Sequence, residues 1–168
     1  MRSLSKGGTL FIASFEGFRP TAYNDGADPP NATIGYGHLL HRGPVTAADR
    51  RLYWSREHAL TVLTHDAASA AAMVNRAVKV RLALPVYPRR AQARFDMLVS
   101  FCFNVGAGNF QCSNVLREVN RKGAPRDWRT CAPYWLEWVW AGRVRLAGLE
   151  RRRGAEVANF LAGRIVTW

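Results

Sequence analysis

Residues 18–40 contain Pro20, Gly26, Pro29, Pro30, Gly35 and Gly37, and no helix can run through that stretch. Proline fixes its own φ and donates no backbone N–H, while glycine opens the positive-φ region, so such a segment folds as turns and short extended pieces. The β-prone residues 21–24 and 33–36 within it predict a small hairpin or meander. Both flanks read as helix. Residues 8–17 place Phe11, Ile12 and Phe15 on one side of a short helix that ends at Glu16-Gly17. Downstream, Ser55 is a natural N-cap, and Leu60, Leu63, Ala67, Ala71 and Val74 recur at helical steps toward about residue 80. Pro85 and Pro88 break that pattern, and a second apolar helix follows over about 89–105, carrying Phe95, Leu98, Val99 and Cys102 and closing at Gly106-Ala107-Gly108. Shorter helices are expected around 109–121, 125–140 and 148–162. The predicted fold class is α+β, mostly α. A small β lobe over about 18–54 packs on a larger helical lobe, about 55–168 with the N-terminal helix, in one domain of 168 residues.

The acidic residues carry the functional reading. Only 12 Asp and Glu stand against 24 Lys and Arg, yet Glu16, Asp25 and Asp28 gather in and beside the turn-rich segment. Burial at the end of an apolar helix favours the neutral acid at Glu16, whereas a polar turn keeps Asp25 ionised. Two carboxyl groups held in different protonation states are what glycoside hydrolysis requires, one to protonate the leaving oxygen and one to handle water or the developing cation. Spacing alone is equally served by a Glu that ends a helix and an Asp that caps a turn.

The ordered motifs decide between these. Phe15-Glu16-Gly17-Phe18-Arg19, then Ala22-Tyr23-Asn24-Asp25, then Thr33-Ile34-Gly35-Tyr36-Gly37-His38 resemble the active-site region of the phage lysozymes of glycoside hydrolase family 24, including the nine-residue step from Glu16 to Asp25. The resemblance continues through Leu98-Val-Ser-Phe-Cys-Phe-Asn-Val-Gly106, Ser113-Asn114-Val115-Leu116-Arg117 and Gly148-Leu149-Glu-Arg-Arg-Arg153 with Glu156 and Phe160-Leu161, from about residue 9 to the end. It implies a lysozyme-like fold and an N-acetylmuramidase that hydrolyses the β-1,4 bond between N-acetylmuramic acid and N-acetylglucosamine in peptidoglycan. Glu16 would be the general acid, Asp25 the second carboxylate, and Thr33 the hydroxyl that positions water. It suggests inversion at the anomeric carbon, with the carboxyl groups roughly 6.5–9.5 Å apart. Neither metal nor cofactor is implied. Tyr23, Gly35, Tyr36, Leu39, Phe103 and Asn104 are candidate substrate contacts, and His38 is expected to pair with Asp66. The step from Asp25 to Thr33 is eight residues, two longer than the family pattern. The insertion lies within 26–32 and makes Asp28 a rival, with Asp25 favoured because Ala22-Tyr23-x-Asp25 matches the family motif.

Other readings remain open at this level. A lytic transglycosylase would act on the same bond and leave an anhydro end, and a wall-binding module without catalysis would keep the fold. The formal charge of +12 draws the chain toward anionic wall polymers or lipopolysaccharide. It permits a basic nucleic-acid-binding protein, but no nucleic-acid motif accompanies it. The apolar run 10–15 is too short to span a membrane, and no signal peptide is evident. The expectation is a monomer held in the host cytoplasm until a membrane-permeabilising partner (a holin) releases it to the wall. Cys102, Cys112 and Cys131 read as inert, partly buried thiols, with a Cys112–Cys131 bridge as the alternative. Trp128, Trp135, Trp138 and Trp140 read as core, and Arg151-Arg152-Arg153 as a solvated helix face in which one Arg forms a structural ion pair.

Overall fold

A computed structural model describes residues 1–121 and 127–166. The first helix, α1 (Lys6–Glu16), starts where Ser5 Oγ accepts from Gly8 N at 3.1 Å. Ser5 is itself pinned, donating from its backbone N (3.1 Å) and its hydroxyl (2.6 Å) to the two carboxylate oxygens of Asp96. Gly8 permits this close approach, since a Cβ there would lie 2.6 Å from Leu4 Cδ1 and 2.8 Å from Asp96 Cγ. The helix ends as Gly17 turns to φ 71°, which releases Glu16 at the exit.

A three-stranded antiparallel sheet follows, in the order β1 (Arg19–Asn24), β2 (Asn31–Gly35) and β3 (His38–Arg42). Tyr23 and Leu39 both pair with Thr33 on the central strand. The predicted hairpin or meander is thus a meander. The chain then returns across β1, with Trp54 N donating to Pro20 O at 2.8 Å.

The helix expected over about 55–80 is two helices, α2 (Arg56–Asp66), capped by Ser55, and α3 (Ala68–Ala77). They bend at the buried Ala67, where the local turn lets α2 lie on α1 and β3 while α3 packs on the next helix. That helix, α4 (Pro88–Val105), is the axis of the molecule. Every residue from Ala93 to Cys102 is buried, and α1, α3, α5 (Ala107–Cys112) and α8 (Ala147–Ala162) pack around it. Phe11, Ile12, Met97, Phe101, Phe110, Trp135 and Phe160 fill the centre.

The segment expected as helices over 109–121 divides into α5 and α6 (Asn114–Val119), because Ser113 stops one and caps the other. The single helix expected over 125–140 is absent among the described residues. A 3-10 turn over Trp128–Cys131 leads into α7 (Ala132–Leu136), and a hairpin of β4 (Trp140–Ala141) and β5 (Val144–Arg145) turns on Gly142 at φ 59°. Trp135 is buried and Trp128 and Trp138 pack on the core, but Trp140 is exposed, which corrects the reading of all four as core. Cys102 is buried, where desolvation pushes its thiol up to about 11. Cys112 is an exposed thiol, so the alternative bridge to Cys131 does not form. Among the described residues no helix is long and apolar enough to cross a membrane.

Candidate active site

Glu16 emerges at the C-terminal end of α1, and the apolar setting expected for it is not what surrounds it. Its side chain is 24% exposed, and Arg152 Nη1 donates to Oε1 at 2.6 Å. Arg152 stands on α8 with only 4% of its side chain exposed, and its Nε donates to Glu156 Oε1 at 3.3 Å. Glu156 is fully buried and also accepts from Ser100 Oγ at 2.7 Å and Trp135 Nε1 at 3.1 Å. Arg153 completes the cluster, donating to Glu156, to Asn104 Oδ1 and to Trp138 O. Arg152 and Arg153 thus meet the buried Glu156 with its hydrogen bonds satisfied, the condition under which buried charge is tolerated, and Arg152 keeps Nη1 for Glu16. Burial depresses the Arg153 guanidinium while Glu156 lifts it back.

This network corrects the reading of 151–153 as a solvated face. Arg151 is exposed, while Arg152 and Arg153 are buried. Arg152 was missed as a residue of the site. The signal lay in Glu156, four residues after Arg152 and three after Arg153, the spacing at which helical side chains meet.

A groove of about 870 Å³ opens beside Glu16, lined by Phe15, Asn104, Leu146, Leu149 and Arg152 among others. It brings Glu16 and Asn104 together. Phe103 is half-buried against the core. The sheet residues Tyr23, Asp25, Thr33 and Leu39 lie outside that lining.

Asp25 follows β1 and closes the inserted turn with its own side chain. Oδ1 accepts from Asn31 N at 2.8 Å and Ala27 N at 3.1 Å, and Oδ2 from Asn31 Nδ2 at 3.0 Å. The Asn31 backbone and amide donors, then Ala27, hold the carboxyl below its usual range. An ionised carboxylate offers about four lone-pair positions, so one on Oδ2 stays open. Asp28 is exposed within the turn that Asp25 closes.

Thr33 is only 5% exposed, and its hydroxyl makes a long bond of 3.4 Å to Asn31 O. Tyr36 is buried with its ring 5.3 Å from that of Phe18, which places it in the core. Gly35, at φ 70°, has its closest neighbours in Trp54 (3.0 Å from an added Cβ) and Ala59 (3.2 Å); the close approach that makes glycine necessary is to protein. Tyr23 lies under the Arg19 guanidinium at 4.8 Å, and Leu39 is exposed. His38 Nδ1 sits 2.9 Å from Asp66 Oδ2, tying β3 to α2. A second pair inside the β lobe, His41 Nε2 to Asp49 Oδ2 at 2.8 Å, was not anticipated. Among the described residues no cluster of His, Cys, Asp and Glu is arranged to hold a metal ion.

Comparison with known proteins gives consistent matches. The phage lysozyme family model matches residues 13–156. The endolysin of Bacillus phage B103 is 32% identical over 96% of the chain, which spans only 55% of that relative's length. The endolysin of Acyrthosiphon pisum secondary endosymbiont phage 1 is 31% identical, with 94% of this chain and 97% of that one covered. Among solved structures, an endolysin from Escherichia coli O157:H7 phage FAHEc1 superposes with a TM-score of 0.78 at 30% identity, covering 99% and 97% of the two chains. The muramidase domain of SpmX from Asticaccaulis excentricus gives 0.75 at 33% identity, covering 96% and 99%.

Proposed function

The chain belongs to the phage lysozyme family, and from that membership we propose that it is an N-acetylmuramidase hydrolysing the β-1,4 bond between N-acetylmuramic acid and N-acetylglucosamine of peptidoglycan. The observation that carries this reading is the Glu16 carboxyl, held at 2.6 Å by a buried arginine at the end of α1, just before the strands that lead to Asp25 and Thr33. Positioning of this kind is what general acid catalysis needs: one oxygen anchored, the other free to face a glycosidic oxygen.

Glu16 gives its proton to the glycosidic oxygen as the bond to the anomeric carbon breaks. Positive charge grows on the sugar ring, and ionised Asp25 faces it with the open position on Oδ2. A water held there attacks the anomeric carbon and passes its proton to Asp25. Thr33, whose bond to Asn31 is long, keeps its hydroxyl available to orient that water. The products carry one added water, Glu16 regains a proton from solvent and Asp25 returns its own. This assignment gives inversion.

The remaining assignments are part of the same proposal. Asn104 and Phe103 contact the glycan from the helical lobe, Tyr23 and Leu39 from the sheet, and His38–Asp66 keeps the sheet in place on α2. Residues 1–168 work as one catalytic unit, in a monomer that waits in the host cytoplasm for a holin and then reaches the wall, where the +12 charge favours adsorption to anionic polymers. Digestion of purified peptidoglycan followed by mass analysis of the muropeptides tests the chemistry. Reducing ends are the expected product; anhydro ends would identify a transglycosylase instead, and intact glycan would overturn the enzymatic reading.

A further inference from the structure

Between Asp66 and Asp96 the chain has no acid, while Arg76, Lys79, Arg81, Arg89, Arg90 and Arg94 fall in the interval. Arg94 is spent internally, donating to Leu82 O at 2.6 Å and Phe160 O at 3.0 Å. The other cations are exposed. They surround a loop between α3 and α4 in which Leu84 is 66% exposed, Val86 74% and Tyr87 47%. The loop has a built shape. Leu82 is buried at its base, Tyr87 N donates to Leu84 O at 2.9 Å, and the Arg90 guanidinium stacks 4.7 Å over the Tyr87 ring. A groove of about 490 Å³, lined by Val74, Val78, Leu84 and Phe95 among others, runs beside it.

Large apolar side chains clustered at a loop tip and ringed by like charge mark an interaction surface. Its composition selects the partner. Nucleic acid would engage the cations and leave Leu84 and Val86 in water. A second copy of the same face would set Lys79, Arg81, Arg89 and Arg90 against themselves. An anionic membrane surface satisfies both features, because apolar tips and tyrosine settle at the boundary of the acyl region while arginine stems extend their charges to the phosphates.

We propose that the 79–90 loop docks the protein on an anionic phospholipid bilayer, with Leu84, Val86 and Tyr87 seated in the interface and Lys79, Arg81, Arg89 and Arg90 at the lipid phosphates. Met1 and Arg2 line the same groove, so the loop lies at the N-terminal end of α1. Glu16 lies at the other end of this 11-residue helix, about 17 Å away at 1.5 Å per residue. Docking through this loop therefore leaves Glu16 at the far end of α1 from the contact.

Co-sedimentation of the full chain with vesicles tests this. Binding is expected to phosphatidylglycerol-containing vesicles, with far less to pure phosphatidylcholine. The Leu84→Ser/Val86→Ser variant and the Arg81→Glu/Arg89→Glu variant should each bind the anionic vesicles at least about tenfold more weakly, and the serine variant, whose charge is unchanged, should clear purified peptidoglycan as the parent does. In a Val86→Trp variant the added indole should shift its emission to the blue on anionic vesicles and not on a DNA duplex. Equal binding by the serine variant, or an unshifted indole, would reduce the effect to bulk charge and overturn the proposal. So would a concentration-dependent dimer that the serine variant abolishes, since the occupant would then be a second copy.

Discussion

Arg152 holds two carboxyl groups at once, Glu16 through Nη1 and Glu156 through Nε. Only a planar fork can do this; a lysine ammonium on its flexible stem reaches one or the other. Arg152→Lys should therefore keep the charge and lose the geometry, lowering kcat on the order of a hundredfold through a misplaced Glu16. Circular dichroism and assay of the purified variant check this; full activity would show that the bridge does not position the acid. The ordered motif singles out Glu16, Asp25 and Thr33 as the candidate site, but it could not show that Glu16 lies against a cation. Residues 16 and 152 meet only after α8 folds back beside α1, and nothing local records that encounter. Tyr36 and Gly35 illustrate the converse. Their types suit sugar contact, and only packing against Phe18 and Trp54 reveals that protein occupies those faces.

At the scale of elements, α1 and the sheet are set by different devices. The α1 start depends on Gly8 leaving room for the Ser5–Asp96 bonds. Gly8→Ala should cost about 1–3 kcal/mol by overpacking, read as a lower urea midpoint; an unchanged midpoint would mean that Leu4 and Asp96 shift freely. The sheet's outer end depends on His41 and Asp49. Hydrogen bonding to Asp49 raises His41, while the Thr46 hydroxyl, His41 and the Thr46 N–H hold Asp49 at about 2. The Asp49 contribution is complete above its ordinary value of 3.8 and is lost as pH falls through about 2. The His41 contribution is complete below 6.5 and is lost as pH rises through its raised value. The stability gap between the parent and His41→Asn should thus be widest between these limits and shrink on going from about pH 5 to about pH 9; a gap independent of pH would contradict it. Elements with strong local signals were legible: Ser55 caps α2, and Gly106 ends α4 where the glycines predicted. The bend at Ala67 was hidden because alanine continues either pattern, and the 140–145 hairpin because each strand is only two residues long.

Across the whole molecule, α4 organises everything else, and its burial makes the core inert to solvent chemistry. Cys102 sits there with its thiol pushed up to about 11, whereas Cys112 is exposed. A thiol reagent should modify Cys112 in the native protein and Cys102 only on unfolding; rapid native labelling of Cys102, read by peptide mass, would show that the core opens. The α+β class and its two lobes were legible because helical periodicity and turn chemistry occupy separate stretches of the chain. How α1 and α8 converge to build the groove was not, since that rests on contacts more than 130 positions apart, such as that between Glu16 and Arg152. In the proposed mechanism Glu16 supplies the proton. Glu16→Gln is near-isosteric, so its hydrogen bond from Arg152 survives and the fold should be kept. Turbidity of purified peptidoglycan should then stay constant with this variant under conditions in which the parent clears it. Clearing at the parent's rate would contradict the assignment.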